Sequence, residues 1–102
     1  MGNSSSNYNT KDVDINTDKE RSFDVTIMYC GGWGYGNNAY GLKEAIHEFY
    51  PKANIELERD NGITGRFEVV VNGKVVHSKK GGDGFVKNLG SLIQKIKQTI
   101  EV

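Results

Sequence analysis

The one reactive sulfur in the chain, Cys30, opens the run Cys30-Gly31-Gly32-Trp33-Gly34-Tyr35-Gly36. A cysteine that ends an apolar strand just before a glycine-rich loop and a helix stands where thiol chemistry is favoured. Loop N–H groups and the positive end of a helix stabilise the thiolate, which is the nucleophilic form. A C-x-x-C redox pair would carry its second sulfur three residues on, at the position of Trp33. The plainer reading of Cys30 is a small, inert apolar residue closing a strand. The same loop admits phosphate chemistry. Gly34-Tyr35-Gly36-Asn37-Asn38-Ala39 fits G-x-G-x-x-A, with Glu56 and Glu58 about 20 residues on as ribose ligands. Context rejects this, because a dinucleotide fold continues with further βαβ units and here a hairpin follows.

Other candidates carry less. His47 lies off the apolar stripe of its helix and reads as solvated. His77, sharing a strand face with Val75, reads as structural. Two separated histidines beside a lone cysteine give no metal constellation. Tyr29, Trp33, Tyr35 and Tyr40 surround the glycine loop and read as an aromatic cluster suited to protein contact. Lys79-Lys80 reads as a solvated loop pair.

The elements that must position this loop follow from periodicity. Phe23, Val25, Ile27 and Tyr29 alternate with Asp24, Thr26 and Met28, a period of two that predicts a strand. Asn37 or Asn38 can cap a helix carrying Leu42, Ala45, Ile46 and Phe49, stopped at Tyr50-Pro51. Asn54–Glu58 alternates again, and Arg66–Val71 and Lys74–Lys79 flank Asn72-Gly73, a hairpin signal for a type I′ turn. Val86, Leu89, Ile93, Ile96 and Ile100 step by three and four, the mark of a closing amphipathic helix. The order β-α-β-β-β-α predicts an α/β (α+β) fold: a mixed four-stranded sheet with two helices, the minimal thioredoxin-like arrangement. A split ferredoxin-like sheet would satisfy the same pattern.

Composition narrows the classes. The 102 residues carry 13 basic and 13 acidic side chains, for zero net charge. One domain is expected, with no nucleic-acid partner and no transmembrane run. A single cysteine excludes an internal disulfide and, without a signal peptide, points to a reducing, cytoplasmic setting. Residues 1–21 hold only Met1, Tyr8, Val13 and Ile15 as apolar residues. They read as a disordered N-terminal tail, with the folded domain at 22–102. Deleting residues 2–20 would on that reading barely change the melting temperature. Met-Gly-Asn-Ser-Ser-Ser fits the acceptor pattern for myristate on Gly2, although an ordinary polar tail looks the same. One myristate gives only weak membrane contact, and the tail's acidic excess supplies no second signal.

Val25-Thr26-Ile27-Met28-Tyr29-Cys30-Gly31-Gly32-Trp33-Gly34-Tyr35 resembles the signature of the selenoprotein W (Rdx) family, a strand ending Tyr-Cys-Gly-x-Sec-Gly-Tyr. The similarity runs on through Leu42-Lys43-Glu44, Phe49-Tyr50-Pro51, Ile63–Val69, Val70–Lys80, Gly82-Asp83-Gly84-Phe85 and the final helix. The resemblance implies a thioredoxin-like fold and a C-x-x-Sec redox motif working with glutathione or thioredoxin. It implies an antioxidant oxidoreductase or a redox sensor, with no tightly bound cofactor. It also suggests 14-3-3 proteins as partners. Carried over, Cys30 is the motif cysteine, Gly31, Gly32 and Gly34 are its loop, and Trp33 stands at the selenocysteine position. Selenocysteine is encoded by UGA, one base from the tryptophan codon UGG. The resemblance therefore implies selenocysteine at 33 in the native protein, with the Trp33 form inactive. If Trp33 is native, the alternative is a redox-inactive thioredoxin-like module presenting its aromatic loop to a partner. The family's fold also commonly has a cis-proline facing the thiol, and Asp60-Asn61-Gly62-Ile63-Thr64 has none. That departure puts in doubt substrate binding by the usual backbone edge.

Overall fold

The structure, a computed structural model, describes residues 8–101. Four strands, β1 (Asp24–Tyr29), β2 (Asn54–Arg59), β3 (Phe67–Val71) and β4 (Lys74–Ser78), form one sheet in the order β2-β1-β3-β4. β1 and β2 are parallel and are joined through α1 (Tyr35–Phe49); β3 pairs antiparallel with β1 and with β4. Helix α2 (Leu89–Ile100) closes the chain. This is the thioredoxin-like α+β fold.

The alternation read in the sequence becomes burial. Val25 and Ile27 of β1 and Phe67, Val69 and Val71 of β3 are buried. They form one core with Leu42, Ala45 and Ile46 of α1 and Leu92, Ile93 and Ile96 of α2. The hairpin turn has positive φ at both Asn72 (48°) and Gly73 (85°), as the type I′ geometry requires.

Three details differ from expectation. Helix α1 starts at Tyr35, capped by Gly34 at φ 89°, and Asn38 instead donates its side-chain N–H back to the Gly34 carbonyl at 3.1 Å. Helix α2 starts at Leu89 with Asn88 as its cap, so the buried Val86 belongs to the preceding loop. His77 and Val75 do not share a face. A register shift at Val69/Val70 pairs Val69 with His77 and Val70 with Val75, so His77 turns inward while Val75 faces solvent. The buried His77 ring bonds the Gly84 carbonyl through Nε2 at 2.7 Å, a structural role.

The segment 8–21, expected as a tail, lies along the domain. Tyr8, Val13 and Ile15 pack half-buried against the core, and Tyr8 donates its hydroxyl to the Val86 carbonyl at 3.3 Å. The rest is polar capping. Thr17 donates to the Phe49 carbonyl at 2.7 Å, and Arg21 donates to the Ile100 carbonyl. Those carbonyls end α1 and α2 and have no partner within their own helices. Counting apolar residues misses this strap because threonine and arginine supply much of its anchoring. Deleting residues 2–20 is accordingly expected to remove about 2 kcal/mol and lower the melting temperature by roughly 10 °C. An unchanged thermal transition would show that the strap adds nothing. Residues 1–7, with Gly2, lie outside the described residues.

Candidate functional site

Cys30 follows β1 directly, and its N–H donates to the Arg66 carbonyl at 2.7 Å, extending the β1–β3 pairing by one step. Gly31 is then pinned on both sides. Its N–H donates to the Gly62 carbonyl at 2.9 Å, and its carbonyl accepts from Arg59 Nη2 at 3.0 Å. A Cβ on Gly31 would fall 2.7 Å from the carbonyl oxygens of both Asp60 and Gly62. Only glycine fits there. Gly31→Ala should force two backbone segments apart and cost about 2–3 kcal/mol, read by denaturant unfolding. Wild-type stability in that variant would contradict the close apposition of the two loops.

Gly32 turns its N–H onto the Cys30 sulfur at 3.2 Å. Trp33 then projects fully into solvent, 100% exposed, while Cys30 is 1% exposed. Gly34, at left-handed φ, caps α1 at no Cβ cost. The motif residues are therefore brought together, but with opposite exposures at its two ends.

The second wall of the site is the 60–66 turn. Asp60 is bracketed by Arg66, with Nε to Oδ2 at 3.1 Å and Nη2 to Oδ1 at 2.5 Å. Thr64 donates its hydroxyl to Asp60 Oδ2 at 2.5 Å and accepts from the Arg66 N–H at 3.2 Å. This turn carries Thr64 and Gly65 over the sulfur. Burial pushes the Cys30 thiol up, but N–H groups of Gly65, Gly32 and Thr64 and the Thr64 hydroxyl outweigh it. The thiol lies below its ordinary value as a result. Hydrogen bonds from Arg66 and Thr64 likewise hold the Asp60 carboxyl below the usual range. Loop 62–65 thus takes the place opposite the thiol where the absent proline was noted. Asp60, Thr64 and Gly65 were not singled out as site residues by sequence reasoning. Their signal was the Thr64-Gly65 dipeptide entering β3 beside that position.

A family model for the Rdx family matches residues 24–99. The chain belongs to the Rdx family. Selenoprotein W of Danio rerio is 46% identical over 78 residues, covering 76% of this chain and 90% of that protein. Human selenoprotein V is 41% identical over 78 residues, 76% of this chain but 22% of that longer protein. A crystal structure of a selenoprotein W-related protein from Vibrio cholerae superposes with a TM-score of 0.66 at 27% identity. It covers 78% of this chain and 99% of that one. Membership in the Rdx family makes this a redox-related, thioredoxin-like protein.

The remaining candidates sort as follows within the Rdx fold. His47 is exposed on α1. The expected aromatic cluster divides. Tyr35 packs on Phe85 with centroids 5.1 Å apart, Phe85 packs on Phe67 at 5.5 Å, and Trp33 stands out in solvent. Lys79 is not simply solvated, because its ammonium sits 5.3 Å from the Phe85 ring centroid and 5.9 Å from that of Tyr35. That is within cation–π range. Among the described residues no three His, Cys, Asp or Glu side chains gather as a metal site. No described helix is long and apolar enough to cross a membrane.

Proposed function

We propose that the native protein is a thiol–selenol redox protein in which residue 33 is selenocysteine and Cys30 resolves it. The observation that carries the reading is the division of exposure across the motif. Position 33 is wholly open to an incoming oxidant, and three residues back lies a covered sulfur surrounded by hydrogen-bond donors. An exposed selenolate would attack one oxygen of a peroxide, giving the selenenic acid and releasing hydroxide. Cys30 as thiolate would then attack selenium, forming the selenium–sulfur bond and expelling the selenium-bound oxygen as a second hydroxide. The hydroxides are protonated to water. One glutathione thiolate would open that bond, and a second would release glutathione disulfide and restore the starting pair. Thioredoxin is the alternative reductant. This reading takes glutathione as a transient partner and a cytoplasmic setting. The form carrying Trp33 lacks the attacking atom. In a coupled assay with peroxide and glutathione, the Trp33 protein should show background turnover and Trp33→Cys a rate clearly above it. Equal rates would remove the redox reading.

One observation favours a second reading. Trp33 (100% exposed) and Ile63 (88%) stand at the site, with Ile63 packed toward Gly32. If the gene encodes UGG at position 33, this apolar pair serves as a docking point for a partner protein, such as a 14-3-3 protein. A UGA codon with a selenocysteine insertion element in the messenger decides for the redox protein.

A further inference from the structure

The sheet buries only one of its two faces. Both helices pack their apolar residues against Val25, Ile27, Phe67, Val69 and Val71. Alternation turns the intervening side chains to the other face, where they are exposed or half-exposed. The register sets them in rows across the strands. Glu56, Thr26, Val70 and Val75 lie side by side in one row, and Glu58, Met28, Glu68 and Ser78 in the next. Asp24 stands beside Asn54 at the end. The outward positions of this face therefore carry four carboxylates, those of Asp24, Glu56, Glu58 and Glu68, and no lysine or arginine. Arg59 and Arg66 stand at the strand ends and are engaged elsewhere, Arg59 with the Gly31 carbonyl and Arg66 with Asp60. Glu68 is 3.8 Å from Arg66, but Glu56 and Glu58 have no ion-pair partner among the described residues.

We propose that this open face docks a basic amphipathic segment of a partner protein, seating one ammonium or guanidinium group between Asp24 and Glu56. A depression of about 210 Å³ lies there, where β1 meets β2, and its lining includes Asp24, Thr26, Asn54 and Glu56. Asn54 spends an amide N–H on Asp24 Oδ1 at 3.2 Å and offers its carbonyl oxygen. Two carboxylates, that carbonyl and the Thr26 hydroxyl make a socket of acceptors, which suits a donor-only cation. Next to it runs an apolar strip, Met28, Val70 and Val75, with Val75 58% exposed. The strip takes the apolar side of the segment, and Glu58 and Glu68 take its further basic groups. The same charge disfavours other occupants. A second copy laid face to face would set carboxylates against carboxylates, and a nucleic acid or an anionic membrane would be repelled. The face is built on the strands and does not draw on the chemistry at position 33.

The test is an NMR titration of isotope-labelled Trp33 protein with a synthetic helical peptide of lysine and leucine only, its leucines along one side. Amide shifts should saturate, concentrate on Thr26, Met28, Glu56, Val70 and Val75, and weaken with added salt. Asp24→Asn combined with Glu56→Gln should weaken binding roughly tenfold, the effect of two exposed ion pairs. Asp14→Asn combined with Glu101→Gln removes the same charge from exposed positions off the sheet and should change binding less than about twofold. The same spectra report that each variant is folded. Equal weakening by both pairs overturns the proposal, since net charge and not a site would then be responsible. Shifts centred on Trp33 and Ile63 overturn it, as does equal binding of the matching glutamate–leucine peptide. Sedimentation showing dimers that cover this face without peptide also overturns it, by making a second copy the occupant. None of these outcomes bears on the redox reading, which Trp33→Cys tests separately.

Discussion

Replacing Trp33 with cysteine should convert a protein with one free thiol into one with none after mild oxidation, through a bond between Cys30 and the introduced sulfur. The two positions are separated by Gly31 and Gly32, and a disulfide needs their Cβ atoms within about 4 Å. Gly31 is held at both its N–H and its carbonyl, so the adjustment falls on Gly32 and on residue 33 itself. Gly32 has the backbone freedom of a residue without a Cβ, and residue 33 makes no buried contact that must be broken. Closure draws the Cys30 sulfur away from the Gly32 N–H that now faces it at 3.2 Å. The bond should therefore open readily with dithiothreitol or glutathione, faster than a structural disulfide does. Closing so short a loop should also add little stability. A free-thiol count before and after oxidation, with mass spectrometry to exclude dimers, reads the outcome. Two thiols surviving oxidation in a folded variant would show that the motif does not hold C-x-x-C geometry.

In the Trp33 form, Cys30 should ionise below the ordinary thiol range and yet be nearly unreactive toward bulky thiol reagents. Ionisation is helped by the N–H groups and the Thr64 hydroxyl, yet the sulfur is covered by Gly32 and the 62–65 turn. A reagent such as an aromatic disulfide must wait for that turn to open. If opening costs about 3 kcal/mol, the folded protein should react about a hundredfold more slowly than the denatured one at the same pH. The sequence shows the loop's glycines but not the turn laid over the sulfur. Equal rates in folded and denatured protein would mean that the thiol is open.

What was legible in the sequence was whatever depends on local pattern. β1 was written in the alternation of Val25 and Ile27, the hairpin in Asn72-Gly73, and the end of α1 in Tyr50-Pro51. The motif from Cys30 to Gly34 carried the family. What was hidden depends on distant segments meeting. Asp60, Thr64 and Arg66 look like ordinary loop polarity until β1 and β3 pair and set that turn against Cys30. The shift at Val69/Val70 leaves no mark in residue type, so His77 and Val75 looked like neighbours on one face. The strap at 8–21 escaped because its anchors, Thr17 and Arg21, act on helix-end carbonyls that only exist once both helices have formed.

The strand order β2-β1-β3-β4 leaves the sheet with two open borders, β2 and β4. Among the described residues no further strand pairs with either border, and a sheet border is where a second molecule could extend the ladder. Neither is well suited to it. β4 has five residues, begins at Lys74, and has its ladder interrupted where Val70 faces Val75. β2 has six residues and carries Glu56, Glu58 and Arg59 near its end. Short, charged and irregular borders resist strand-by-strand accretion, which matters for a protein whose proposed chemistry brings it into repeated contact with oxidants. Straightening the irregularity by deleting Val76 would lengthen the regular ladder on that border and remove one of the features that keep neighbouring molecules from stacking onto it.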